Sequence, residues 1–230
     1  MFMMRRAKER GSSNFDWLAS QHSFSFADYY DPQWMGFSCL RVINEDTVQP
    51  GKGFGQHPHK NMEIISYVID GALEHKDSLG TGSIIRPGEI QRMSAGTGIV
   101  HSEFNYSDIN PVHFLQIWIL PESLGIKPGY EQKPIKKIAN QWILIGSQDA
   151  GKDTILIHQN VKLFAATLST GTLLPYSFTA NRRGWLQMIK GKIQLNETVI
   201  SCGDGIGMEG METITITCIE EAELLFFDLN

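Results

Sequence analysis

The stretch YVIDGALEHKDS at 67–78 has a counterpart, QMIKGKIQLNET, at 187–198. The likeness continues: RPGE is matched by SCGDG, and the late run FLQIWIL by ELLFFDL. Gly71 lines up with Gly191 and Gly88 with Gly203; the glycines stand 17 apart in the first half and 12 in the second, so one hairpin is shorter. One β-unit written twice explains this pattern. Short runs rich in Val, Ile, Thr and aromatics fill both halves, among them Ser38–Ile43, Ile64–Ile69, Phe114–Leu120, Trp185–Ile189, Thr213–Cys218 and Leu224–Leu229. Gly, Pro, Asn and Asp bound them, and helical periodicity is weak throughout. That is the signature of an all-β sandwich or barrel. Between Pro121 and Gln141 three prolines, two glycines and several charges read as a linker. The expected organisation is a first unit at 1–120, a linker at 121–140 and a second unit at 141–230. The alternating HSFSF at 22–26 puts His22, Phe24 and Phe26 on one face if extended.

The two copies differ in what they carry. Where the first has QHPHKNME and AGTGIVHSEFN, the second has SFTANRRG and GMEGMETITIT. Six of seven histidines precede residue 114, and only His158 follows. Histidines serving a core would be needed about equally in both copies. On a strand i and i+2 project together, so His57 pairs with His59, and His101 with Glu103. Two such pairs facing each other across a barrel give three imidazole nitrogens and one carboxylate, a set that suits one divalent first-row metal in the first unit. Four protein ligands on an octahedral ion leave two positions for small molecules. Glu63 has the same parity as the two histidines, so parity alone leaves it open as a ligand; the favoured reading is an acceptor for a ligand histidine N–H. His75 and His113 stand singly and read as surface or satisfied histidines, and His22 as a packed one.

Composition excludes several classes. With a formal net charge of −5 and no Lys/Arg block longer than a pair, the chain lacks the footprint of a nucleic-acid binder. No apolar segment is long enough to span a bilayer, and the stretch MFMMRRAKERG is not expected to act as a signal peptide, because no apolar run follows its basic residues. Cys39, Cys202 and Cys218 form no close-spaced motif, so a disulfide framework is not expected. A cytoplasmic protein is expected, as a monomer.

Gly51–Gly71 resembles the first cupin motif: glycine, five residues, H-x-H, three residues, glutamate. Gly88–Asn105 resembles the second, ending in histidine, three residues, asparagine. The chain departs from the usual form in the spacer to Gly71, in Ser-Ala-Gly for Pro-x-Gly, and in two extra residues before His101. Those departures, with HSFSFADYYDPQWMGF, HPHKNMEI and SAGTGIVHSEFN, are similar to the pirin family, specifically its bacterial members. The resemblance implies two tandem cupin β-barrels (a bicupin) with one metal in the first. It implies His57, His59, His101 and Glu103 as ligands, whereas an ordinary cupin would use the position of Glu63. Iron is the expected metal, with nickel, copper, zinc and manganese compatible. The implied activity is quercetin 2,3-dioxygenase: a flavonol and O2 as substrates, the central ring opened, carbon monoxide released, and Glu103 accepting the 3-hydroxyl proton. Phe54, Met93 and Trp118 are candidates to hold the planar substrate. The alternative the resemblance carries is a redox-sensitive, metal-binding regulator acting through protein partners.

Overall fold

The computed structural model describes residues 1–230. Its regular structure is strand, apart from one 3-10 turn at Ala7–Glu9, and no helix is long and apolar enough to cross a membrane. In the first barrel a four-stranded sheet runs in the order Gly53–His59, Ile99–Asn105, Leu73–Asp77, Gly82–Ile85. It faces a seven-stranded sheet in the order Gly129–Pro134, Glu89–Ser94, Glu63–Asp70, Val112–Ile119, Leu40–Val48, Leu18–His22, Gly11–Phe15. The second barrel is one nine-stranded sheet built around two long strands, Arg183–Leu195 and Thr213–Leu229. Register shifts between Met188 and Ile193 bend this pair, so that each strand does the work of two in the first barrel.

Alternation of side chains decides what each face of the seven-stranded sheet meets. On the Glu63–Asp70 strand, Val68 belongs to the core inside the first barrel, with Leu73, Ile85, Val112 and Phe114. Ile65 and Tyr67 point the other way. With Ile43, Ile117 and Ile119 they join Leu163, Trp185, Leu225 and Phe227 of the second barrel in the largest core cluster, of 22 residues. The barrels are therefore fused through a continuous apolar seam, because strands buried on both faces must be apolar at nearly every position.

Three segments depart from the pattern read in the sequence. The 121–140 stretch carries the strand Gly129–Pro134, which pairs with Glu89–Ser94 at the edge of the first barrel. Its residues GYEQKP have no apolar alternation, so nothing local announces an edge strand. Phe2–Arg5, at the far N-terminus, pairs with Gly205–Glu209 of the second barrel. The alternation in HSFSF does not become a common face: the strand ends at His22, and Phe24 instead packs 4.8 Å (ring centroids) from Trp185 in the inter-barrel seam.

Candidate metal centre

The histidine pairs lie on neighbouring strands of one sheet, not across the barrel from each other. Gly53–His59 is the edge strand, where Pro58 removes no needed donor, and it pairs with Ile99–Asn105. His101 is opposite His57, and Glu103 opposite Phe54, so two residues of one strand, Gly55 and Gln56, face one of its partner, Ser102. This bulge lies at Gly55 and Gln56 and re-aims the histidines. It also brings the Gly55 carbonyl oxygen within 2.7 Å of His57 Nδ1. A carbonyl only accepts, so the proton sits on Nδ1 and Nε2 keeps its lone pair. Glycine is required at Gly53 for close approach: a Cβ there would stand 2.3 Å from the Glu103 carbonyl oxygen.

Nitrogens of His57, His59 and His101 lie within 4.8 Å of one another, and so do donor atoms of His75, His101 and Glu103. His101 belongs to both groups. It is 2% exposed, and neither of its ring nitrogens has a hydrogen-bond partner. Two orphaned nitrogens in one buried ring are costly unless something binds there. Burial, with His57, His59 and His75 around it, holds His101 down to about 2; burial and then His57 hold His59 down to about 4. Neutral imidazoles are what a metal needs. The donor set therefore fits one divalent ion.

Glu103 is buried and doubly held. Gln116 Nε2 donates to its Oε2 at 2.6 Å, and Ser66 Oγ to its Oε1 at 3.2 Å. Burial pushes its carboxyl up to about 7. Gln116 and Ser66 belong to a polar row that crosses the seven-stranded sheet strand by strand: His22, Asn44, Gln116, Ser66, Gln91. Every member is buried. His22 is packed, as expected, with Nδ1 2.8 Å from Asn44 Oδ1 and Nε2 2.9 Å from Ser13 Oγ.

Two expectations are corrected. Glu63 accepts no proton from a ligand histidine. Between His59 and Glu63 the chain turns through Asn61, at φ 53°, and strand parity restarts. Glu63 shares the parity of Ile65 and so faces the second barrel, where its Oε2 accepts from the backbone N and lies 3.1 Å from Nδ1 of His158. His75, read as a surface or satisfied histidine, is fully buried opposite Glu103, with Nε2 3.0 Å from Asp77 Oδ2 and Nδ1 unpaired. The i, i+2 spacing of His75 and Asp77 was the available signal. His113 is satisfied, with Nε2 2.9 Å from Glu45 Oε1.

A cavity of ≈ 260 Å³ opens beside this cluster. His57, His59, Glu103 and Gln116 form one part of its lining, and Phe26, Phe54 and Trp118 another. Trp118 meets the His59 ring edge-on at 5.0 Å. Met93 is not in that wall; it is buried in a core cluster with Ile64, Ala95 and Ile99. Sequence reading also missed Ser66, Gln116 and Asp46. Their signal was a polar residue at an inward position of an apolar strand.

Comparison with known proteins agrees with this architecture. The Pirin family profile matches residues 3–119, and that of the quercetinase C-terminal cupin domain matches 144–229. Quercetin 2,3-dioxygenase of Escherichia coli K12 is 44% identical over 229 residues, covering 100% of this chain and 99% of that protein. A pirin-like protein of Caulobacter vibrioides is 39% identical, over 95% of both chains. The crystal structure of the E. coli bacterial pirin YhhW in complex with nickel(II) superposes with a TM-score of 0.96 at 44% identity, covering 100% of this chain and 99% of that one. With two cupin barrels, and family matches over both, this chain belongs to the pirin family.

Proposed function

We propose that this protein is a metal-dependent dioxygenase that opens the central ring of flavonols such as quercetin with O2 and releases carbon monoxide. The observation that carries the reading is a single cavity lined by both the histidine–glutamate cluster and aromatic side chains. Relatives named quercetin 2,3-dioxygenase over the full chain support the same activity. His57, His59, His101 and Glu103 are the proposed ligands of one divalent ion. An imidazole-rich set suits iron and nickel alike, and nickel(II) is the ion in the E. coli relative's complex. The ion, when bound, supplies Lewis acidity that makes the flavonol 3-hydroxyl easier to deprotonate.

The chain's own residues do the rest. Glu103 accepts the 3-hydroxyl proton. Without the ion, burial pushes its carboxyl up to about 7; a bound cation would favour the ionised form that accepts a proton. Gln116 and Ser66 hold the carboxylate in place through both oxygens while the proton arrives. Phe26, Phe54 and Trp118 offer faces and edges to a planar ligand and exclude water from the electron-rich ring. Protein purified, analysed for metal and given quercetin in air should take up O2 and release carbon monoxide in equal amounts. Glu103→Gln should remove nearly all of that turnover, and Glu63→Gln should not. Quercetin consumption without carbon monoxide, or none in metal-replete protein, would sink the proposal.

A further inference from the structure

Asp46 is outside the clustered donor set, although its charge is among the lesser influences that raise the Glu103 carboxyl. It lies on the Leu40–Val48 strand, 4% exposed, two residues beyond Asn44 and on the same face. It belongs to neither group of clustered donor atoms and to no ion pair; Ser20 is its neighbour on the adjoining strand. Its Oδ1 is buried with no partner at all. A buried, unpaired carboxylate oxygen is among the most costly features a fold can keep. Yet Asp46 lines the same cavity as the histidines, beside Trp17, Leu18 and Phe54.

Register fixes where along that cavity it stands. Val42 pairs with Trp118, the residue that touches His59; Asn44 pairs with Gln116, which holds Glu103; Asp46 pairs with Phe114. Asp46 is thus four residues, or roughly 13 Å of strand at about 3.3 Å per residue, past the Trp118 row. One end of the cavity carries the donor cluster. The other carries Trp17, Leu18 and Phe54 together with one orphaned acceptor and the Ser20 and Ser13 side chains of the same cross-strand row.

We infer that Asp46 reads the ligand: its Oδ1 accepts a hydrogen bond from a hydroxyl on the outer ring of a polyhydroxylated aromatic, at the end of the cavity remote from the histidines. The inference rests on the flavonol reading and deepens it, by making a second, distant hydroxyl part of what the site selects. Aromatic walls alone accept any flat ring. An acceptor buried without a partner rejects a ring that lacks the hydroxyl, because the acceptor then stays unpaired.

The test is anaerobic binding to metal-loaded protein, so that no turnover intervenes, with two probes. Quercetin carries hydroxyls on both outer rings; 3-hydroxyflavone carries only the one beside the carbonyl. Measured well above neutral pH, where Asp46 is ionised, Asp46→Ala should weaken quercetin by about 10–100-fold, the range of a hydrogen bond to a charged group, and 3-hydroxyflavone by less than about twofold. Asp46→Asn keeps a carbonyl acceptor and should lose less for quercetin, with the same contrast between probes; it decides the matter if the alanine variant does not fold. Equal losses for both probes in folded, metal-replete variants would overturn the role of Asp46 and leave the flavonol reading intact. Wild-type protein that binds neither probe would overturn both.

Discussion

The two barrels share a scaffold and differ in their interiors. With Gly71 set on Gly191, the strand registers superpose the polar row Asn44, Gln116, Ser66, Gln91 on Phe164, Phe226, Leu186, Ile206. Glu103 and His75 fall on Ile216 and Leu195, His101 and His57 on Ile214 and Tyr176, and Asp46 on Ala166. Of the second-barrel residues, Leu186, Leu195, Ile206, Ile214, Ile216, Phe226 and Ala166 form one apolar core, with Phe164 and Tyr176 packed against it. The fold therefore does not need polarity at these positions. Buried polar groups cost free energy that apolar ones do not, so a barrel that keeps a whole set of them keeps them for chemistry. The second barrel shows what the first would look like if stability were its only task.

The largest expected effect tests where the metal goes. His57→Ala combined with His59→Ala should abolish metal binding, and His158→Ala should leave it intact, since His158 meets Glu63 at the seam. Elemental analysis should find one ion per chain in the wild type. Two ions would break the contrast between the barrels outright.

Next in size is a pH effect inside the first barrel. Burial pushes Asp46 from 3.8 up to about 7. Between those values the folded protein binds a proton that the unfolded chain has lost. The associated stability is fully present below about 3.8 and is lost as pH rises through about 7. Asn cannot ionise, so Asp46→Asn should match the wild type in acid and exceed it above neutrality. The gain is up to about 4 kcal/mol, taking about 1.4 kcal/mol per pKa unit. Urea unfolding of both metal-free proteins across pH reads this directly. Parallel profiles would mean that water reaches Asp46, and the first barrel would then be less dry than its apolar twin suggests.

A smaller effect concerns the polar row. Gln116→Leu moves this position toward its counterpart Phe226 and deprives Glu103 of its 2.6 Å hydrogen bond. Metal affinity, measured by chelator competition, should fall by about 10–100-fold, as for other groups that orient a ligand. Unchanged affinity would show that the row is structural rather than a support for the site.

Much of this was legible in the sequence because duplication supplied an internal control. The all-β pattern, the loss of histidines from the second copy and the clustering of His57, His59 and His101 needed no structure. What stayed hidden depends on where strands restart and which way they face. Glu63 looked like a neighbour of His59 because a turn at Asn61 is invisible to parity counting. His75 looked isolated because its partner Glu103, directly across the sheet, is 28 residues away in sequence. Asp46, Ser66 and Gln116 looked like ordinary polar positions, since one strand alone does not show that they line up across several.

The smallest effect sharpens the duplication itself. Gly71 and Gly191 both adopt left-handed backbone, at φ 79° and 76°, and each closes a turn against equivalent backbone, the start of the Val112–Ile119 strand at Gly71 and the middle of the Thr213–Leu229 strand at Gly191. A Cβ on Gly71 would stand 2.7 Å from the Pro111 carbonyl oxygen and 2.9 Å from Val112 Cα; on Gly191 it would stand 1.9 Å from the Glu221 oxygen and 2.9 Å from Ala222 Cα. Those obstacles are backbone, which cannot rotate away. Left-handed backbone alone costs a residue with a Cβ about 1–2 kcal/mol, so both Gly71→Ala and Gly191→Ala should lower the urea midpoint. The tighter approach at Gly191 should make its loss the larger, by an amount on the order of 1 kcal/mol given that a misfit in a packed region costs about 1–3. Metal content should be unchanged in the Gly191 variant, whose turn belongs to the barrel without the cluster. If Gly71→Ala were neutral while Gly191→Ala was costly, the two hairpins would not be equivalent, and the superposition that maps Glu103 onto Ile216 would lose its anchor.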